Sequence, residues 1–190
     1  MLQWVSQLAK IATEPAATVA PLFTRDGRWH ILLVEKSEHL RKHAGQVAFP
    51  GGKIDDADES PWAAALREYE EEVGLPGDAL RLIGRLSILP TITGFRVHPY
   101  VAELADDPGE VTTQSGEVAR ILMVPVEDFF DPRAMALTIR HWRKRPFPDW
   151  QHHATDGRIW GATAMMIREL LVIWTGRDPM ERPVAVTPGA

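Results

Sequence analysis

The chain has 190 residues, 45% of them hydrophobic and 25% charged, with a formal net charge of -5 and no cysteine. That length accommodates one domain with a sizeable core, and that balance excludes a disordered chain. The lack of cysteine excludes a disulfide framework and thiolate chemistry, the acidic balance argues against general nucleic-acid binding, and no apolar run reaches the roughly 18 residues of a spanning helix.

The first residues, "MLQWVSQLAKIATEPAATVA", carry neither the basic start nor the cleavage site of a secretory signal. A soluble cytoplasmic protein with no nucleic-acid or membrane partner is expected. It is read as one domain over 1–190, with a core of about 16–176, a short helix within residues 2–12 and a loosely held tail after Gly176. "ATVAPLF" (17–23) and "WHILLVE" (29–35) have the composition of strands. The next stretch, 36–59, is dense in turn formers and charge and reads as a long functional loop with a short strand near Val47 to Phe49. After a helix over 61–73, "LRLIGRLSIL" (80–89), "FRVHPYVAEL" (95–104) and "EVARILMVPV" (117–126) read as strands, with "VEDFF" (126–130) as a short helix. "ALTIRHWRK" (136–144) and "GRIW" (157–160) are further strands, and "ATAMMIRELLVIW" (162–174) is a helix. Strands mixed with two well-separated helices predict a sheet covered by helices, an α/β or α+β sandwich.

The helix over 61–73 has both ends written in its sequence. Ser60 is a good N-cap, Pro61 suits the first helical position, and Gly74 stands where a left-handed residue closes the helix. Trp62, Ala65, Leu66, Tyr69 and Val73 fall on one stripe that faces the core. Glu68, Glu71 and Glu72 gather on its flank, and Glu70 falls on the other side. Like charges at this spacing destabilise a helix by roughly 0.2–0.5 kcal/mol per pair, and the helix dipole adds a comparable penalty at this end. A solvated acidic face is the plain alternative; a bound divalent cation reverses both penalties. Carboxylates without neighbouring histidine or cysteine favour a hard ion, Mg²⁺ or Mn²⁺, which in turn points to phosphate chemistry.

Glu117, opening a strand after "TTQSG", is either a further ligand or base or an ordinary surface acid. Arg41, Lys42 and His43 form a basic cluster next to the acidic segment, suited to phosphate or else a solvated loop. "RHWRKR" (140–145) reads as a guarded strand edge, His98, His152 and His153 as structural or surface residues, and Trp160 beside Gly161 as a candidate pocket wall.

"GGKIDDADESPWAAALREYEEEVGL" resembles the Nudix box, the signature of hydrolases that cleave nucleoside diphosphates linked to another group. Glu59, Arg67, Glu68, Tyr69, Glu71, Glu72, Gly74 and Leu75 match its spacing, while Gly52 precedes Glu59 by one residue too many, so that either the loop carries an insertion or Asp58 stands in for the first acid. Upstream, Leu32, Leu33, Ser37, Arg41, Gly45, Phe49, Pro50, Gly51 and Gly52 are similar to the segment before the box in the coenzyme A diphosphatase branch, with Val34 and Lys36 departing from it. "IWGATAMMIREL" is also similar to that branch.

This resemblance implies a Nudix-type α/β/α sandwich with a mixed sheet, a Mg²⁺ or Mn²⁺ requirement, and hydrolysis of CoA or acyl-CoA to 3',5'-ADP and 4'-phosphopantetheine or its acyl form. The metal set it implies is Glu68, Glu72, Glu71 and the Gly52 carbonyl, with Arg67 bridged to Glu59 and Glu68 alternatively acting as the general base. NADH, ADP-ribose or a modified nucleoside triphosphate are the alternative small-molecule substrates, and a nucleotide-binding module without catalysis is the alternative class. A homodimer is the assembly common in the superfamily.

Overall fold

The structure, a computed structural model, describes residues 9–40, 43–113, 115–142, 144–154 and 157–180. Most of the helix expected within 2–12 and the tail from 181 onward lie outside them. β1 (Glu14–Arg25) and β2 (Arg28–Lys36) form an antiparallel hairpin around Asp26 and Gly27, at φ 52° and 73°. Two positive φ values give a two-residue turn the twist of its flanking strands.

The pairing of this hairpin opens a place for the loop that follows. β8 (Val118–Pro125) runs along β2 from His30 to Lys36. β3 (Val47–Ala48) pairs Val34 and Glu35 of the same strand, so it occupies the edge facing β1. β4 (Gly51–Lys53) then pairs Ala16–Thr18 of β1. The loop 36–59 therefore wedges between two diverging strands. On the far side of β1, β7 (Phe95–Leu104) runs parallel to it, flanked by β5 (Leu80–Arg85) and β6 (Leu89–Pro90).

Alternation along the strands sorts the core into two layers. Ala17, Val19 and Phe23 of β1 with Leu32 and Val34 of β2 pack beneath α1 (Pro61–Val73), through Ala64, Ala65, Tyr69 and Val73. Ala16, Ala20 and Leu22 with Ile31 and Leu33 pack on the other face beneath α2 (Gly161–Thr175), through Ala164, Ile167 and Leu171. A mixed sheet between helices is the expected sandwich.

A separate three-stranded sheet, β9 (Met135–Trp142), β10 (Arg145–Ala154) and β11 (Gly157–Trp160), lies beside it. No element is expected from the sequence over 145–154, where β10 forms. Its Pro146 and Pro148 pair β9, whereas β11 pairs only Gln151–Ala154. The prolines thus stand on a stretch with a partner strand on one side alone, where a missing N–H is tolerated. No helix among the described residues is long and apolar enough to cross a membrane.

Candidate active site

α1 is capped as its sequence demands. Ser60 Oγ accepts the Ala63 N–H at 3.1 Å, and Gly74, at φ 79°, donates its N–H to the Glu70 carbonyl. The acids on this helix then part company. Glu72 is 2% exposed, on the buried face one turn from Tyr69. One of its oxygens meets the Lys36 ammonium and the other accepts the Gly51 N–H at 3.1 Å. Burial pushes the Glu72 carboxyl up, Lys36 and the Gly51 N–H pull it down, and nearby Glu117 pushes it further up.

Glu68 lies over Gly52, where an added Cβ would collide with its carboxylate. Burial raises the Glu68 carboxyl, Arg67 opposes this, and Glu72 and Glu71 reinforce it. The Glu71 side chain is 59% exposed and, among the described residues, pairs with Arg67 alone, at 3.4 Å. Glu70 turns away, accepting the Gly77 N–H at 2.7 Å and so tying down the turn that follows the helix. Among the described residues, no three acids or histidines surround a common point. The expected convergence of Glu68, Glu71 and Glu72 is thus a neighbourhood in which Lys36 and Arg67 supply the positive charge.

The expected bridge from Arg67 to Glu59 is not the one that forms. Arg67 Nε and Nη2 donate to the two oxygens of Asp58 at 3.1 and 3.0 Å, and Nη2 also donates to the Lys53 carbonyl at 3.1 Å. Glu59 is exposed and makes no ion pair among the described residues. The loop decides the register: the Asp55 N–H donates to Asp58 Oδ2 at 2.8 Å while Asp58 N–H donates back to the Asp55 carbonyl at 3.0 Å. That turn aims Asp58 at the helix and leaves Glu59 outward before the Ser60 cap. Arg67 holds the Asp58 carboxyl below its ordinary range.

The rest of the neighbourhood is a cleft of about 700 Å³ between the sheet and the start of α2. Lys36, Gly51, Gly52 and Glu117 line it together with Leu89, Ile92, Phe95, Met165 and Met166. The Ser37 N–H donates to the Glu117 carbonyl at 2.8 Å, and Thr113 Oγ1 donates to the Glu72 carbonyl at 2.7 Å, so Glu117 is held beside the end of β2 and Thr113 at the end of α1. His43 is on the cleft wall, with Nδ1 2.8 Å from Gln46 Oε1. Arg41 and Lys42 lie outside the described residues. Trp160 lines the cleft as anticipated, with the Arg140 guanidinium 4.6 Å from its ring centre.

Sequence reasoning missed two wall residues. Asp149 is buried, accepting the Gly161 N–H at 3.2 Å and so anchoring the start of α2. Its place between two prolines and a tryptophan carries no local signal. Lys36 registers in the sequence only as a departure from a motif. The inward pattern of "WHILLVEK" could have marked it as the charge at the end of a buried strand.

The family described as "NUDIX domain" matches residues 12–151. A relative from Escherichia fergusonii, named "Uncharacterized Nudix hydrolase NudL", is 40% identical over 158 residues, covering 82% of this chain and 80% of that protein. Its Escherichia coli namesake is 38% identical over 162 residues at the same coverage. Among solved structures, a C. elegans Ap4A hydrolase binary complex is similar with a TM-score of 0.52 at 24% identity, covering 61% of this chain and 82% of that one. A MutT/nudix family protein from Enterococcus faecalis is similar with a TM-score of 0.53 at 15% identity, covering 87% and 64%. At these identities the structural likeness concerns the fold alone.

Proposed function

The chain belongs to the Nudix hydrolase family, and on that premise we propose that it hydrolyses the diphosphate bond of coenzyme A or an acyl-CoA. The products are 3',5'-ADP and 4'-phosphopantetheine or its acyl form. The observation that carries this reading is the mixed lining of the cleft, which brings Lys36, Glu117 and Gly52 together with Leu89, Ile92, Phe95 and Met165. A substrate with a central diphosphate and a long arm of low charge matches it. The motif segment 32–52 supports the same reading, since His43, Gln46 and Phe49 of that segment line the cleft.

Family members use a divalent cation such as Mg²⁺ or Mn²⁺, and the acids here fit one in kind. Glu68 and Glu72 are hard oxygen donors, and the upward push on Glu68 from Glu72 and Glu71, and on Glu72 from Glu117, is a repulsion that a cation relieves. Glu68, Glu72, Glu71 and the Gly52 carbonyl would hold it. When bound, it supplies charge stabilisation at the attacked phosphorus and acidifies a water. Arg67, through Asp58 and the Lys53 carbonyl, fixes the loop 53–58 on α1 and with it the Gly52 backbone. Glu68 and Glu117 are the two groups assigned to accept a proton from the attacking water, and Arg41, Lys42 and His43 are assigned to the substrate's phosphates.

The test is incubation of the purified protein and Mg²⁺ or Mn²⁺ with CoA, acetyl-CoA, NADH, ADP-ribose and a modified nucleoside triphosphate, with products resolved chromatographically. Release of 3',5'-ADP supports the proposal. Intact CoA beside another cleaved nucleotide overturns the substrate, and binding without cleavage overturns the reaction. Glu72→Gln should abolish turnover with the fold retained, whereas Glu70→Gln, whose carboxylate serves the turn at Gly77, should keep turnover near wild type.

A further inference from the structure

Lys36 ends β2 with its side chain 13% exposed and its ammonium on Glu72, whose own side chain is 3% exposed. Arg67, the cation carried by α1 itself, is engaged by Asp58, Glu68 and Glu71. A carboxylate buried this deeply demands a partner of opposite charge, and Lys36 is that partner. The contact is nevertheless built to open. The Lys36 backbone is fixed, its N–H donating to the Gln46 carbonyl at 2.9 Å and its carbonyl accepting the Gly45 N–H at 3.1 Å. The ammonium sits on a flexible four-carbon stem that borders the cleft. Gly51, meanwhile, holds the second oxygen of Glu72 from the backbone, so the carboxylate keeps its orientation when the lysine leaves.

We propose that Lys36 is a displaceable internal counter-ion, which neutralises Glu72 in the metal-free protein and must be driven off it into the cleft when a divalent cation binds. This rests on the reading of Glu72 as a metal ligand. A divalent cation at Glu72 repels the ammonium and competes with it for the same carboxylate, so the lysine weakens metal binding while protecting the metal-free fold. Its release also delivers a positive charge to the cleft at the moment the metal is in place.

The experiment measures Mn²⁺ affinity of the full chain by calorimetry or by the electron paramagnetic resonance of free Mn²⁺, at one pH, for wild type, Lys36→Met and Lys36→Gln. Thermal midpoints are taken in chelator and in saturating Mn²⁺. Both variants should bind Mn²⁺ about ten-fold or more tightly than wild type. Their midpoints should fall below wild type in chelator, with the deficit shrinking in Mn²⁺. Lys36→Gln, which keeps an N–H donor for Glu72, guards against loss of folding in Lys36→Met. Equal or weaker Mn²⁺ affinity, with the same midpoint deficit in both conditions, would reduce Lys36 to a structural ion pair and overturn the proposal. If wild type itself binds no Mn²⁺, it is the metal reading of Glu72 that fails, and the proposed hydrolysis with it.

Discussion

Arg67 and Asp58 are joined by two parallel hydrogen bonds, 3.1 Å from Nε to Oδ1 and 3.0 Å from Nη2 to Oδ2. Fork-to-carboxylate pairing of this kind is stronger and more directional than a single surface ion pair. Asp58→Asn should lower stability in urea denaturation by about 1–2 kcal/mol, discounted because Arg67 is partly exposed, while Glu59→Gln should stay within about 0.5 kcal/mol of wild type. The Asp58 carboxyl is held below its ordinary value of 3.8. Its contribution is therefore present above that value and lost as pH falls through the folded value, so Asp58→Asn should flatten the acid limb of the stability profile. Equal losses for the two variants would return the bridge to Glu59.

Gly51 and Gly52 are adjacent but should respond differently to alanine. At Gly51, with φ 152°, a Cβ meets the Ala17 carbonyl and the Thr18 backbone, neither of which can swing aside. Gly51→Ala should cost about 2 kcal/mol or more of stability by separating β4 from β1. At Gly52 the obstacle is the end of the Glu68 side chain. Gly52→Ala should cost about 1 kcal/mol or less but lower turnover strongly, because Glu68 must move. Stability and turnover measured on both variants decide it: equal stability losses would show that the β1 contact is not the tighter one.

His152 is wholly buried, with Nε2 2.8 Å from the Asp128 carbonyl, its ring 4.7 Å from that of Phe129, and Nδ1 without a hydrogen-bond partner among the described residues. Burial pushes its pKa below the ordinary 6.5 against the pull of Asp128 and Asp131. The unfolded chain then takes up a proton near 6.5 that the folded one refuses, so this contribution is present above 6.5 and lost as pH falls towards the folded value. The slope attributable to His152 is at most about 1.4 kcal/mol per pH unit. His152→Asn should remove it from stability profiles measured between about pH 5 and pH 8, a window set by the ordinary histidine range. An unchanged profile would show that His152 does not titrate on unfolding.

Much of the scaffold is legible in the chain because it is specified locally. Ser60, Pro61 and Gly74 delimit α1 through bonds spanning at most four residues, and the alternation of Ala16 to Phe23 assigns each face of β1 without reference to any partner. β4 is not legible: "GGK" has no strand propensity, and it becomes a strand only because β1 and β2 diverge and leave hydrogen-bonding edges open. β10 fails the same way, since whether Pro146 and Pro148 are tolerated depends on where β11 ends.

The sequence by itself determined that Glu68, Glu71 and Glu72 share a flank of one helix, because helical spacing is a property of the backbone. It also determined the family, because the box is contiguous. Only the tertiary structure decided that Asp58 rather than Glu59 meets Arg67, since a loop register is set by turn hydrogen bonds that composition does not reveal. Only the tertiary structure placed Lys36 on Glu72, 36 positions away in the chain. The charge that balances a buried carboxylate comes from whichever strand the sheet lays against it, and strand order is a property of the assembled fold.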